Sequence, residues 1–233
     1  MKTIEIKDWT MKDPLNCIGE MAGVCWNAKL DKDRNVVRAL DCIKSGHGRV
    51  EELPDVYLVI DGWSAKMMRE LYTHIGGSPT RMQASTRYID YEKGFEVITP
   101  PSITNNNEAM EVWCKAMSDI KMAMSALKAL GIPKEDYTIL LPLAYQSKMI
   151  WKVNLRTLIN FMNMRLCSRA YWEIREFANM LKKALMEYSP EWEIICKELF
   201  VPKCDAVGYC TEAKCCGRHK TKSEVFGEDA KQD

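Results

Sequence analysis

The segment NLRTLINFMNMRLCSRAYW, residues 154–172, decides how the rest of this chain is interpreted. Six side chains with several hydrogen-bonding groups stand in its first sixteen residues, between apolar positions typical of a core: Asn154, Arg156, Asn160, Asn163, Arg165 and Arg169. Such groups rarely occupy so apolar a stretch unless a partner satisfies them. Guanidinium groups suit phosphate, carboxylate or the carbonyl edge of a base. The segment therefore predicts either a ligand site or, on spacing alone, a helix with one solvated face.

The composition describes a folded protein with little overall charge. The chain has 233 residues, 47% of them hydrophobic, which fits one large domain or two small ones. Its 33 Lys and Arg residues nearly balance its 32 Asp and Glu residues, for a net charge of +1. A near-neutral total gives no general footprint for nucleic acid or for an acidic membrane surface. We therefore predict that neither is a partner.

Apolar runs and cysteine content indicate the compartment. No run approaches the roughly 20 apolar residues that span a bilayer. The first residues, MKTIEIKDWTMKD, lack the apolar centre of a signal peptide. We predict a cytoplasmic protein, in which the ten cysteines are thiols or metal ligands rather than disulfides.

Periodicity and breaker residues predict an α+β fold, with a twisted, largely antiparallel sheet and helices packed against it. The pattern predicts one compact domain over 1–201 and a cysteine-rich tail over 202–233, frayed from about residue 220. Strands are predicted at 2–7, 56–60, 95–99 and 137–143, with a turn at Asp61-Gly62. Helices are predicted at 14–27, 33–45, 63–74, 105–129, 169–188 and 190–200, and 154–167 is left mixed.

Two loops carry polar residues at positions where function often lies. The first, GHGRVEEL at 46–53, fits an ordinary polar loop with a glycine turn better than a functional loop when it is taken alone. The second, GGSPTRMQASTRY at 76–88, exposes glycine N–H groups beside Ser85 and Arg87, which could hold an anion. It matches neither GxxxxGK[ST] nor GxGxxG, so as a phosphate loop it is weak evidence.

The tail combines soft metal ligands with glycines that can bend the chain. Tetrahedral zinc is predicted for a set chosen from Cys204, Cys210, Cys215, Cys216 and His219. Reduced, unligated thiols are the alternative. The remaining cysteines lie among apolar residues and are predicted to be core: Cys17, Cys25, Cys42, Cys114, Cys167 and Cys196.

Taken together, four segments resemble the flavin-dependent thymidylate synthase family, in its order and approximate spacing. GHGRVEEL resembles the family's Gly-His-x-(Ser/Thr)-x-x-Glu-His loop and keeps His47 and Glu52. THIGGSPTRMQASTRY (73–88) resembles the family's Arg-His-Arg, seven residues and Ser, with its second half the better match. FEVITPPSI (95–103) resembles the strand that follows. LPLAYQSKMIWKVNLRTLINFMNMRLCSRAYWEI (141–174) matches most closely.

The chain departs from the family pattern at charged positions. Thr73-His74-Ile75 lies where the family has Arg-His-Arg. Arg49 lies where it has Ser or Thr, and Leu53 where the loop has its second histidine. Thr138 stands where the family often has a phosphate-binding arginine, and Arg169 where it has a flavin-side histidine. Arginines elsewhere could restore the charge, namely Arg49, Arg69, Arg81 and Arg169. The departures suggest a divergent member whose substrate could differ.

The resemblance implies a cytoplasmic homotetramer that binds FAD and makes dTMP from dUMP, with methylenetetrahydrofolate as carbon donor and NADPH as reductant. It implies that Arg165 polarises the uracil ring as the catalytic residue. The dUMP would be bound by Gln83, Ser85, Thr86, Arg87 and Arg165. The flavin and folate would be bound by His47, Arg49, Glu52, His74, Asn154, Arg156, Asn160 and Arg169.

Two other functions stay open. The first is a related flavin- and folate-dependent enzyme with an altered pyrimidine base or product, for example a hydroxymethylating one, which the displaced arginines favour. The second is a non-enzymatic flavin- or nucleotide-binding protein whose cysteine tail docks a partner through zinc.

Overall fold

A computed structural model describes residues 1–76, 79–89, 91 and 94–227 of the chain. Two sequence predictions fall partly outside these residues. Gly77 and Ser78 of the predicted anion loop lie outside them, as do residues 228–233 at the end of the tail.

The residues that the structure describes are mainly helical and include four strands. The strands are β1 (Thr3–Ile6), β2 (Asp55–Ser64), β3 (Thr80–Gln83) and β4 (Gln146–Asn154). The helices of the first half are α1 (Pro14–Cys25), α2 (Lys32–Lys44), α3 (Ala65–Leu71), α4 (Pro101–Thr104) and α5 (Asn107–Ala129). Those of the second half are α6 (Lys134–Tyr137), α7 (Leu155–Arg165), α8 (Trp172–Tyr188), α9 (Pro190–Glu198), α10 (Lys203–Val207) and α11 (Lys222–Phe226). Short 3-10 turns cover Val50–Glu52 and Thr138–Leu140.

The strands form one antiparallel sheet in the order β1-β2-β4-β3, which confirms the predicted α+β class. Buried and less buried residues alternate along β2 and β4, as expected for strands whose side chains point to opposite faces. Contacts divide the chain into two compact units. The first contains 1–3, 59–73 and 81–150, and the second contains 4–58, 74–80 and 151–233, so both long strands contribute residues to both units.

The second unit is built around three aromatic rings without solvent exposure. Trp151 at the end of β4 lies 5.5 Å from the ring of Phe161 on α7 and 6.4 Å from that of Phe177 on α8. The Phe161 and Phe177 rings are 5.9 Å apart and meet edge to face. Such pairs add to the free energy gained by burial. They fix helix α7, which carries three of the candidate ligand-binding residues, Arg156, Asn160 and Arg165.

The first unit has a smaller core beneath the long helix α5. Phe95, Met124, Tyr137 and Tyr145 are buried together there, and Tyr91 packs edge to face on Tyr145. Most of α5 is exposed beyond this contact.

Three predicted elements differ in the structure. Asp61 and Gly62 do not turn; β2 continues to Ser64, and α3 begins only at Ala65. Gly62 adopts φ +75°, and a Cβ there would lie 2.5 Å from the carbonyl oxygen of Met1, so the glycine serves a close strand contact. Residues 137–143 are helical turns rather than a strand. Residues 95–99 contribute a single bridge, between Val97 and Tyr145.

The boundary at residue 201 stays a prediction. The described part of the tail belongs to the second unit and contains α10 and α11. Among the residues described, none of the helices combines the length and apolarity of a membrane span.

Helices α1 and α2 pack closely enough to require a glycine. A Cβ at Gly19 would lie 1.8 Å from the carbonyl oxygen of Asn35 on α2. A Cβ at Gly23 would instead meet the ends of two flexible side chains, Arg38 and Leu30.

We expect Gly19→Ala to lower the free energy of unfolding by about 1–3 kcal/mol, because backbone must move to admit the methyl group. Gly23→Ala on the same helix is the control. It should cost less, since side chains can move aside and alanine favours helix by about 1 kcal/mol. Urea unfolding of both variants measures the difference, and equal effects would contradict the close packing at Gly19.

Candidate functional site

The junction of β4 and α7 positions the polar residues of the opening segment. Asn154 is 6% exposed, and its Oδ1 accepts the backbone N–H of Thr157 at 2.9 Å, which makes it the N-cap of α7. The N–H of Leu155 donates to the carbonyl of Pro54 at 2.9 Å. With the helix start fixed, Arg156 and Asn160 lie one turn apart and are both exposed. Asn163 is used structurally, because its amide donates to the carbonyls of Leu199 and Val201.

Glu52 is hydrogen-bonded to two of the arginines predicted to bind the flavin or folate, Arg156 and Arg49. Its Oε1 accepts from Arg156 Nη1 at 2.6 Å, and its Oε2 accepts from Arg49 Nη1 at 3.1 Å. These contacts, the Arg156 hydrogen bond first, lower the pKa of Glu52 below its usual value. Burial raises the pKa of the neighbouring Glu51. A Cβ on Gly48 would lie 3.3 Å from the Arg156 guanidinium carbon, so the loop also follows that side chain closely.

His47, from the same loop, faces a different cavity. This cavity of about 550 Å³ is lined mainly by α2 residues, together with Trp26. The structure therefore brings Arg49, Glu52 and Arg156 together by direct contact and places His47 beside α2.

Arg165 is held by a buried histidine. His74 is 4% exposed, and its Nε2 accepts from Arg165 Nε at 3.0 Å. An accepting Nε2 means a neutral ring protonated on Nδ1. The ring also packs edge to face on Phe161, at 5.0 Å, and the hydroxyl of Thr157 donates to the carbonyl of Gly76 nearby in the chain. The guanidinium at the end of α7 is thus held in position by groups that are themselves fixed.

Residues 83–87 of the predicted phosphate loop lie in the first unit and are held by one local and two long-range hydrogen bonds. Gln83 Nε2 donates to Ser147 Oγ at 3.2 Å, and the backbone N–H of Arg87 donates to Ser85 Oγ at 3.2 Å. Arg87 Nε donates to Glu135 Oε2 at 2.8 Å, in a pair whose two side chains are more than half exposed. Thr86, which precedes Arg87 in the chain, is half-buried. Glu135 is a partner that the sequence patterns did not indicate.

Arg169 belongs to a third group, formed with the tail. It lines a cavity of about 190 Å³ together with Arg165 and tail cysteines. Of the predicted metal ligands, Cys204, Cys210, Cys216 and His219 line this cavity, whereas Cys215 instead donates to the carbonyl of His219. Asp205, which follows Cys204 directly, joins Cys204 and His219, although the sequence analysis did not include it.

The other cysteines are only partly core. Cys42 and Cys196 are buried, as predicted, and burial raises the pKa of Cys196 to about 12. Cys17 and Cys167 are half-buried. The prediction is wrong for Cys25 and Cys114, which are exposed because they lie on the outward faces of α1 and α5.

We expect Arg156→Gln to raise the pKa of Glu52 towards its ordinary 4.5, because the strongest hydrogen bond to the carboxylate is lost. Since the folded-state pKa is lowered, the Glu52 contacts stabilise the protein above the unfolded-state pKa. This contribution to stability disappears as the pH falls through the folded-state pKa of Glu52. Carboxyl-carbon NMR titration measures the shift. Arg34→Gln, which removes a surface partner of Asp31, is the control. An unchanged pKa of Glu52 in Arg156→Gln would contradict the view that Arg156 lowers it.

The sequence profile and the similar sequences described below belong to the same family. The sequence profile described as "Thymidylate synthase complementing protein" matches residues 8–191. The flavin-dependent thymidylate synthase of Pyrococcus abyssi is 36% identical over 173 residues, which cover 72% of this chain and 69% of the relative. Those of Nitratidesulfovibrio vulgaris and Geobacter sulfurreducens are 29% and 32% identical, covering 85% and 76% of this chain and 82% and 80% of theirs.

A solved structure shares the fold. It is described as a UMP/dUMP methylase, PolB, from Streptomyces cacaoi bound with 5-Br dUMP, and it aligns with a TM-score of 0.70 at 17% identity. The alignment covers 86% of this chain and 97% of that one. From the profile match over most of the chain and relatives above 30% identity, the chain belongs to the flavin-dependent thymidylate synthase family.

Proposed function

We propose that this enzyme converts dUMP to dTMP, with methylenetetrahydrofolate as carbon donor, NADPH as reductant and FAD as bound cofactor. The observation that carries the proposal is the position of Arg165, whose guanidinium is held by buried His74 at the end of a capped helix. A planar guanidinium fixed in this way can meet the carbonyl edge of uracil. It would stabilise negative charge as C5 of the ring becomes nucleophilic, without reorganising during the reaction.

The residues present suit a flavin nucleotide. Arg156 and Asn160 offer a guanidinium and an amide one turn apart on the exposed face of α7, and Arg49 adds a second guanidinium beside Glu52. These donors match phosphate and carbonyl oxygens. We propose that they hold FAD, which would supply the hydride carrier. Asn154 would act through the helix cap, and His47, His74 and Arg169 would border the flavin or folate.

The 83–87 loop is proposed to hold the dUMP phosphate. Ser85 Oγ, the backbone of Thr86 and the guanidinium of Arg87 are anion-binding groups on one tight turn, which Gln83 ties to Ser147. Glu135 must be displaced from Arg87, or share it, when a phosphate binds.

Assembly and location are proposed on family grounds. We propose a homotetramer that works in the cytoplasm, with neither nucleic acid nor membrane as a partner. Gel filtration with light scattering tests the oligomeric state.

The purified protein should show an oxidised-flavin spectrum that NADPH bleaches, and it should form dTMP from dUMP. Arg165→Ala should lower kcat/KM for dUMP by about 10- to 150-fold, since loss of a charged donor commonly costs about 1.5–3 kcal/mol. Arg165→Lys keeps the positive charge but lacks the planar guanidinium. Its kcat/KM for dUMP should lie between the values of wild type and Arg165→Ala.

Lys183→Ala, which removes an exposed cation of α8, is the matched control and should keep normal turnover. Circular dichroism checks that each variant folds. A near-normal rate in Arg165→Ala would remove this residue from catalysis, and a protein that never binds flavin would argue against the function itself.

A second function stays open because the phosphate side differs from the family pattern. Thr138 is buried where an arginine is often found, and Arg87 is paired with an acid. A fold relative is described as a UMP/dUMP methylase. A related enzyme with another pyrimidine nucleotide or a hydroxymethyl product is therefore the alternative.

Assays with dUMP, UMP and dCMP, with products identified by mass, separate the two functions. Preference for dUMP with a methyl product supports the first. A higher kcat/KM for another nucleotide, or a product heavier by one oxygen, supports the second.

A further inference from the structure

The tail brings three metal-ligating side chains together from two separate segments. Cys204 and Asp205 lie on α10, and His219 follows a reversal of the chain. One ligand atom from each lies within 4.8 Å of the others. The thiol, carboxylate and imidazole therefore point towards a common centre, although they are 15 residues apart in sequence.

The segment that makes this arrangement has almost no apolar core. Within described residues 202–227, only Pro202 and Cys210 are buried. The chain is bent at Gly208 and Gly217, at φ +82° and +86°, and Cys210 pairs with Thr221 as a single bridge. Small units without a core usually depend on a cross-link, either a disulfide or a metal ion.

One further soft ligand, Cys216, lines the cavity next to this cluster. Cys204, His219 and Cys216 line the cavity of about 190 Å³ at the end of α7. Thiolate and imidazole ligands select soft divalent ions, above all zinc, in tetrahedral geometry.

Cationic side chains around the cavity compensate the charge. Two thiolates and a carboxylate would leave a zinc centre with one net negative charge. Arg169 and Lys203 line the cavity, and Arg218 Nε contacts Asp205 Oδ1 at 3.0 Å. Nearby cations favour the thiolate form that zinc needs. Arg218 can stay as the partner that orients the Asp205 carboxylate.

We propose that Cys204, Asp205, Cys216 and His219 bind one zinc ion that holds the tail against the end of α7. This set differs from the spacing-based one in three residues. Cys215 turns to the carbonyl of His219, Cys210 is hydrogen-bonded to Cys215, and Asp205 takes a place that the sequence pattern did not indicate. The site goes beyond the proposed reaction and does not depend on it.

The contact between His219 and Asp205 would compete with a metal ion, and it suggests the alternative, a tail held without metal. His219 Nε2 and Asp205 Oδ1 are 2.8 Å apart and would form an ion pair when the imidazole is protonated. If this contact is all that the cluster does, the tail needs no metal.

Metal content of the full-length protein tests the site. The protein is supplied with equimolar Zn²⁺, passed over chelating resin and analysed by elemental mass spectrometry, with about one zinc per chain expected. Cys204→Ser and His219→Ala should lose the zinc, and Cys216→Ser should lose most of it. Cys215→Ser in the tail and Cys114→Ser on α5 are the matched controls and should keep it.

Cobalt substitution adds a spectroscopic readout. Wild-type protein loaded with Co²⁺ should show thiolate-to-metal charge-transfer absorption, which Cys204→Ser should weaken and Cys215→Ser should not. Removing zinc by a chelator should lower the Tm of wild-type protein and leave that of Cys204→Ser unchanged. Circular dichroism confirms that each variant remains folded.

Several results would overturn the site. One is wild-type protein that holds no zinc after loading. Another is zinc retained in both Cys204→Ser and His219→Ala. A third is a disulfide between tail cysteines in the freshly purified protein. Loss of zinc in Cys215→Ser but not in Cys216→Ser would contradict the proposed fourth ligand. Failure to make dTMP would leave the zinc content unaffected, so the two proposals are tested separately.

Discussion

The hydrogen bond between Asn154 Oδ1 and the N–H of Thr157 fixes the geometry on which the second unit depends. It ends β4 and begins α7 at a single buried residue, while Leu155 ties the same point to Pro54. Because a helix advances 100° per residue, the start of α7 determines where every later side chain points. A shift by one residue would turn Arg156 and Asn160 away from solvent and carry Arg165 away from His74.

The candidate site uses charged groups that are already paired. Arg156 and Arg49 share Glu52, and Arg165 rests on a neutral histidine. Pairing holds long side chains in one geometry, which reduces the conformational entropy lost when a ligand binds. The two pairings differ in kind, because the Glu52 carboxylate offsets one of the two positive charges beside it, whereas the His74 contact to Arg165 is made by an imidazole nitrogen.

Local signals predicted the helices well and the sheet poorly. Asp13-Pro14, Gly46 and Ser189-Pro190 mark ends that the structure reproduces within a few residues, because caps and breakers act locally. Gly62 suggested a turn, but its role is to admit the backbone of Met1, a contact that no local pattern contains.

The candidate site was predictable in the same uneven way. The polar residues of α7 were found because they interrupt an apolar run. Glu135 and Asp205 were missed because acidic side chains are common on surfaces, and only the tertiary fold shows which of them faces Arg87 or His219. Cys25 and Cys114 were misjudged since a thiol resembles a small apolar side chain wherever the helix happens to face.

The ion pair of Arg87 with Glu135 has a thermodynamic consequence. A phosphate arriving at Arg87 would replace one anion by another, so the heat released on binding would reflect the difference between two similar contacts. Added salt would weaken the internal pair and the incoming contact alike, and the two effects would partly cancel. If this loop binds the nucleotide phosphate as proposed, its affinity should therefore depend less on ionic strength than its exposed arginine suggests.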